Sequence, residues 1–338
     1  MNPNEEQIRR KWRGDSPVVS VVCIAYNHEE YLRDAMQGFL MQETDFPFEI
    51  IVHDDCSTDG TAGIIREYLK AYPGVVRAVF QPVNQYSRGG KCFLLAAAHA
   101  VGEYVAVCEG DDYWTDPEKL QRQVEQMRRH PQCQLSFHPA WKEDLGRGGE
   151  RTLFCRRGEG DRIFIPPAII AEGGSFMPTA SLMLTRRFMD QLLDPAADFH
   201  RSYLTGFFIQ FFGALEGGAL YLDRTMSVYR HMSKGSWSET TAGSARHFLA
   251  WGDTHLAAIA EADRLTGGRY RREFDALGKR CLHAVLRNCS VPAAERGAFG
   301  KRHGWSWRDR LAWILVYRND RLTGFLRRLA RAGRPHRG

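Results

Sequence analysis

The chain has 338 residues, 43% of them hydrophobic, with a formal net charge of +6, which fits a globular protein of one large or two smaller domains. The charge is uneven: Lys301 to Gly338 holds 11 Lys/Arg against 2 Asp/Glu, so the rest of the chain is net −3. A basic balance confined to a tail argues against nucleic acid as a partner of the main body. Eight scattered cysteines without a CxxC pair predict reduced thiols in a reducing compartment. The opening "MNPNEEQIRRKWRGD" has no apolar centre, so no secretory signal is expected. The run "LAWILVY" is far below the roughly 20 residues a membrane span needs.

The first third alternates strand and helix patterns. "VVSVVCIA" (18–25) is a β-branched apolar run that reads as a buried strand. Leu32, Ala35, Met36, Phe39 and Leu40 then fall at helical spacing. "FEIIVH" (48–53) is a second strand, and Ser57 or Asp59 is expected to cap the helix that carries Ile64, Ile65, Tyr68 and Leu69. "VVRAVF", "KCFLLAAAHAV", "EYVAVCEG" and "DPEKLQRQVEQMRRH" continue as strand, helix, strand and helix. Strict alternation with short joints predicts a parallel sheet with helices on both faces. Ligands of such sheets bind beyond the carboxyl ends of the strands. The polar clusters "YNH", "DDCSTDG" and "EGDD" stand at those ends.

The middle is less regular. "GRGGERTLFCRRGEGDR" reads as loop or hairpin, "PTASLMLTRRFM" as a strand entering a helix, "GFFIQFFGALEGG" as an apolar helix and "ALYLDRTMSVYRHM" as strand-like. From Ser244 onward the pattern is helical.

Two clusters point to chemistry. In "HDDCSTDGT", Asp54 or Asp55 suits a hydrogen-bond acceptor for a nucleobase or ribose; a plain Asp-rich helix cap explains the same residues. In "EGDDYW", Glu109, Asp111 and Asp112 crowd three carboxylates at a strand end. Like charges held close repel, so a cation is expected there. Mg2+ or Mn2+ takes hard oxygen ligands and commonly shares one or two carboxylates with a substrate phosphate. A solvated acidic turn is the competing reading.

"SVVCIAYNHEEYLRDAMQGFLMQ", "FEIIVHDDCSTDGT", "NQYSRGGK" and "GEYVAVCEGDDYWTDPEKLQRQ", in this order, resemble the family-2 glycosyltransferases of bacteria, over about Ser16 to Ser238. The resemblance implies an α/β GT-A fold: a mostly parallel central sheet with flanking helices, here followed by a helical C-terminal region. It implies a polar extension over 1–16, a catalytic domain over 17–240 and the helical region over 241–338. It also implies metal-dependent, inverting transfer of a sugar from a nucleotide-diphosphate donor, most often UDP-linked, to a hydroxyl acceptor in capsule, lipopolysaccharide or exopolysaccharide synthesis.

By the same resemblance, Ala25, Tyr26, Asp54 and Asp55 would hold the nucleoside, with Tyr26 against the base. Lys91 would reach the pyrophosphate; an exposed helix-start lysine is the alternative. "EGDD" matches the family's DxD element. Asp111 would be the main metal ligand and Asp112 would face the sugar or diphosphate. Gly110 lies between the acids, and Glu109 stands where the family usually has Asp, in a supporting role. His231 would be a third ligand or a diphosphate contact, and Trp237 would cover the donor; both could equally be structural. Residues Thr179 to Ser181 would line the acceptor side, unless they are simply packed. The family's general base is an Asp opening the apolar helix, and Gly206 occupies that position. Asp198, His200 and Glu216 are nearby substitutes, with Asp198 preferred; an inactive or weakly active chain is the remaining explanation.

In the tail, Leu311, Ile314, Leu315, Leu322, Phe325, Leu326 and Leu329 share a helical stripe among arginines, with Trp305, Trp307 and Trp313 nearby. This pattern suits a basic amphipathic helix on an anionic membrane, on the inner face of the bacterial inner membrane, near a glycan or lipid-linked acceptor. A packed C-terminal helix is the alternative. Two other functions compete. A nucleotidyltransferase would need a Gly-rich phosphate loop that "AYNHEEYL" lacks, and a non-catalytic nucleotide-sugar or glycan binder is consistent with Gly206.

Overall fold

The computed structural model describes residues 3–196 and 205–318. The chain divides into two compact units, one ending at Ser236 and the other starting at Trp237.

The first unit opens with a short helix, α1 (Glu5–Arg9), and then alternates. Strands β1 (Val19–Ala25), β2 (Phe48–Asp54), β3 (Val76–Phe80) and β4 (Tyr104–Glu109) are separated by α2 (Leu32–Leu40), α3 (Thr61–Ala71) and α4 (Cys92–Ala97). β1 lies between β2 and β4, parallel to both, with Ala25 beside Asp54 and Ile24 beside Glu109. The three polar strand ends therefore meet at one edge. Val19, Val21, Cys23 and Ala25 of β1 share a core with Leu32, Met36 and Phe39 of α2 and Ile64 and Ile65 of α3. The intervening β1 residues turn to the other face, where α4 packs. Burial on both faces explains the unbroken apolar runs.

Beyond β4 the sheet stops being purely parallel. β5 (Tyr113–Trp114) and α5 (Lys119–Arg129) precede β6 (Leu135–Phe137), β7 (Ala140–Asp144), β8 (Glu150–Phe154) and β9 (Arg162–Phe164). Then come α6 (Pro166–Ile170), β10 (Met183–Thr185), α7 (Arg186–Leu193), α8 (Gly206–Gly213), β11 (Ala219–Tyr221) and β12 (Ser227–His231). The large sheet has the order β3-β2-β1-β4-β10-β6-β11-β9, with β10 antiparallel to β4 and β6. The all-parallel expectation therefore holds only for its first half: β10 enters without a crossover helix before it. A second sheet, β5-β12-β7-β8, carries the residues after the acidic turn. Its β7–β8 hairpin is the Gly-rich stretch.

The second unit consists of α9 (Trp237–Gly243), α10 (Ala245–Leu265), α11 (Arg271–Leu286), α12 (Ala293–Arg302) and α13 (Trp307–Ala312), followed by a π-helical turn over Trp313–Tyr317. Leu282, Val285, Leu286, Phe299 and Trp305 form its core, with Trp251, Trp313 and Tyr317 packed against it. This corrects the tail reading in part. Trp305 is a core residue and Trp313 packs against it, whereas Trp307, Leu311, Ile314 and Leu315 are exposed. Leu322, Phe325, Leu326 and Leu329 lie outside the described residues. Among the described residues no helix is long and apolar enough to cross a membrane.

Candidate active site

The site grows from the ends of β1, β2 and β4. Past β1, Asn27 adopts φ 54°, the left-handed region that Asn tolerates better than most residues. Its Oδ1 accepts the Thr58 N–H at 2.7 Å, and its own N–H donates to Ser57 Oγ at 2.9 Å. His28 N–H donates to Thr61 Oγ1, and Gly60 N–H donates to Glu29 Oε2. The loop after β1 is thus stitched to the loop after β2. Gly60, not Ser57 or Asp59, is the N-cap of α3; Ser57 serves Asn27, and Asp59 accepts from Thr61 N–H.

Asp54 and Asp55 are both buried. Asp54 closes a turn on Ser57 N–H at 3.3 Å. Asp55 accepts the N–H groups of Gln85 (2.7 Å) and Tyr86 (3.0 Å), which fixes the loop leading to Lys91. His53, Asp55 and Cys92 bring one donor atom each within 4.8 Å of one another. Burial pushes the Cys92 thiol up to about 12, aided by the Asp55 carboxylate. Ala25 is fully buried, whereas Tyr26 is 41% exposed, its ring available to a ligand. Lys91 is partly buried at the start of α4, and its pKa is lowered by that burial.

The acidic turn is held from three sides. Gly110 N–H donates to Ile24 O at 2.8 Å. A β-carbon at Gly110 would lie 2.8 Å from His28 Nδ1 and 3.3 Å from Ala25 Cβ, so the position needs glycine. Asp111 Oδ2 accepts from Ser233 Oγ at 2.6 Å, and Asp112 Oδ1 accepts the Arg230 N–H at 2.9 Å. Trp114 anchors the turn from beneath. Its Nε1–H donates to Ala180 O, and its ring packs on Phe39 and under the Lys119 ammonium. Ala180 and Ser181 are fully buried in this packing, which makes them supports rather than pocket lining.

The carboxylates are strained electrostatically. Asp112 is 1% exposed, and burial, then the charges of Asp111 and Glu109, push its pKa well above the usual carboxylate range. Glu109 is open to solvent on one side. The protein packed around its carboxyl, then the Asp111 charge, still raise it to about 7. His28 is held low by burial, against the opposing pull of Asp111. Asp112 Oδ2 is buried and has no hydrogen-bond partner. An oxygen left bare among crowded acids fits a cation ligand, since an unpaired buried charge is costly.

The other expected residues fall less simply. His231 Nδ1 lies 3.4 Å from Asp144 Oδ1, without hydrogen-bond geometry, so that ring nitrogen faces β7. Gly206 is the first residue of α8, after the Thr205 cap, and a β-carbon there would meet open space. Glu216 lies past the far end of α8, bonded to Gln134 and Arg187, and is not a substitute base at its start. Asp198 and His200 lie outside the described residues. Trp237 is exposed at the start of α9, in the second unit. Sequence reasoning missed His28, Arg230 and Ser233. The signal was an arginine inside an apolar strand, in "SVYRH", which must find buried partners.

The fold and the acidic strand end define a GT-A sugar-nucleotide transferase. The model for glycosyl transferase family 2 matches residues 20–190, and the chain belongs to that family. It is 34% identical over 259 residues to an uncharacterized protein of Mycobacterium tuberculosis, covering 75% of this chain and 70% of that one. It is 30% identical over 229 residues to an uncharacterized glycosyltransferase of Nostoc sp., covering 64% and 68%. In structure it is similar to Staphylococcus aureus TarS residues 1–349 in complex with UDP. The TM-score is 0.55 at 19% identity, covering 88% of this chain and 78% of that one.

Proposed function

We propose that the protein transfers a sugar, with inversion, from a nucleotide-diphosphate donor, UDP-linked in the first instance, to a hydroxyl of a growing bacterial surface polysaccharide. The observation behind this reading is the buried Asp111–Asp112 pair at the end of β4, with Asp112 Oδ2 bare. Asp111 and Asp112 would hold a divalent cation, Mn2+ or Mg2+, which supplies charge stabilisation to a departing diphosphate.

The chain's own residues do the rest. Tyr26 offers a ring face to the base. Asp54 and Asp55 offer acceptor lone pairs to the nucleoside, and Lys91 offers a cation to the pyrophosphate. Glu109 supports the acidic turn, and Gly110 keeps it against β1. Asp112 faces the sugar end of the donor. Trp237 is assigned as a cover for the donor and His231 as a diphosphate contact. The hydroxyl acceptor needs a general base. Gly206 cannot supply one, which leaves Asp198 as the candidate.

The TarS structure was obtained with UDP, in keeping with a uridine donor here. A Bacillus subtilis relative, 36% identical over 121 residues, bears the name of a putative teichuronic acid biosynthesis glycosyltransferase, in keeping with an envelope polysaccharide. The exposed Trp307, Leu311, Ile314 and Leu315 in a basic tail support peripheral contact with the inner face of an anionic membrane, beside a lipid-linked acceptor.

The test is hydrolysis: incubation with a UDP-sugar and Mn2+ should release UDP slowly, and Asp111→Asn should abolish the release. A second reading is favoured by the bare first turn of α8. The protein would then bind the donor without turning it over, and Gly206→Asp would not restore turnover.

A further inference from the structure

We infer that Arg230 is a positioning residue that sets the geometry of the Asp111–Asp112 turn for the cation and the diphosphate; this rests on the functional reading above. Arg230 is 8% exposed and sits in β12, opposite Glu143 of β7 in the strand register. A buried guanidinium is tolerated only when its charge and donors are satisfied. Here Asp34 of α2 pairs with one terminal nitrogen, and Glu143 Oε2 lies 3.5 Å from Nε. The Tyr113 ring centroid lies 4.3 Å from Cζ and that of Tyr31 lies 5.3 Å away. Two carboxylates and two rings, from α2, β5, β7 and the loop before α2, thus fix the plane of the group.

The remaining terminal nitrogen donates to the main-chain carbonyl of Asp111 at 3.1 Å. The main-chain N–H of the same residue donates to Asp112 Oδ1 at 2.9 Å. One residue therefore grips the turn at its backbone and at one carboxylate. Arg230's side chain reaches the turn through a carbonyl, not through a carboxylate, and Asp112 Oδ2 stays bare. A cation that merely neutralised the acids would sit on those oxygens. Arg230 orients them and leaves the ligand atom open. Partners of this kind commonly change metal affinity 10- to 100-fold when removed.

The experiment measures Mn2+ affinity in the presence of UDP, from the electron paramagnetic resonance signal of free Mn2+. It uses the full chain and the variants Arg230→Gln, Arg230→Lys and Asp34→Asn, each with its thermal midpoint. Arg230→Gln is expected to weaken Mn2+ binding by about tenfold or more, with Arg230→Lys in between. Asp34 is half exposed, so Asp34→Asn loosens the arginine with little risk to folding, and it should weaken binding by a smaller factor. Wild-type affinity in a folded Arg230→Gln overturns the inference, even if its midpoint falls. Should Arg230→Gln not fold, wild-type affinity in Asp34→Asn does the same. A wild-type protein that takes up no Mn2+ with UDP overturns the functional reading, and the inference with it.

Discussion

Arg230 and Asp112 are 118 positions apart in the chain, and the N–H of the first donates to Oδ1 of the second at 2.9 Å. Two sheets are joined at that bond. β4 of the large sheet delivers the acids, and β12 of the small one receives them. Each carboxylate of the pair has one oxygen engaged by the segment Arg230–Ser233. The turn is thus organised before any ligand arrives, which is the condition for electrostatic stabilisation without reorganisation.

Function and stability should pull in opposite directions at Asp112. Its carboxylate is buried beside two others and is held protonated by them. Asp112→Asn removes that repulsion and keeps an acceptor for the Arg230 N–H. The metal-free variant should melt at or above the wild-type midpoint, while its donor hydrolysis falls by roughly 100-fold. A lower midpoint with undiminished hydrolysis would argue for a purely structural carboxyl.

Gly110→Ala should damage the site through packing alone. The added methyl would meet His28 Nδ1 at 2.8 Å and Ile24 O at 3.3 Å, and Ile24 O already accepts the Gly110 N–H. Overpacking of this kind costs about 1–3 kcal/mol, which denaturant unfolding will report. Loss of UDP binding should exceed what that destabilisation explains, because the turn moves with its glycine.

Gly206→Asp has room. No atom lies within 4 Å of the added Cβ, and a carboxylate in the first turn of α8 is favoured by about 0.3–1 kcal/mol. The midpoint should stay level or rise. If the missing base limits turnover, transfer to a hydroxyl acceptor should rise at least tenfold in a steady-state assay. An unchanged rate assigns the base to another residue or points to the binding reading.

Lys119 supplies a pH signature. It is fully buried under Trp114, and burial lowers its pKa from 10.5 to about 7. Between those values the unfolded chain binds more protons than the folded one. This group therefore adds stability as pH rises through the window and withdraws it as pH falls. Lys119→Met removes the titration. The unfolding free energy of wild type minus variant should climb from pH 7 to pH 10, measured in urea at each pH. A flat difference would mean that the ammonium stays charged against the Trp114 ring.

The donor half of this architecture was legible in the sequence because strand ends collect ligands. The runs ending at Ala25, Asp54 and Glu109 were apolar, β-branched and bounded by polar clusters, so their parallel order and common edge followed. The second half resisted for physical reasons. β10 and β11 are three residues each, too short for a period to show, so the antiparallel entry of β10 was invisible. Arg230 was passed over because its meaning depends on Asp34, Glu143, Tyr31 and Tyr113, drawn from distant parts of the chain. Tail tryptophans read alike from composition, yet Trp305 is buried under Gly300 and Trp307 is exposed. The helix cap missed by three residues or one, because Ser57 and Asp59 are spent on neighbouring loops.

The most direct measurement is the thermal midpoint of the full chain across a panel of nucleotide sugars, with and without Mn2+, repeated in Asp111→Asn. A ligand that binds only the folded state raises the midpoint, by about 2.7 kcal/mol of added stability at 100 times its Kd. The account predicts that at least one uridine-linked sugar raises it, that the rise requires Mn2+, and that Asp111→Asn removes it. A midpoint indifferent to every nucleotide sugar in the presence of Mn2+ would contradict the account.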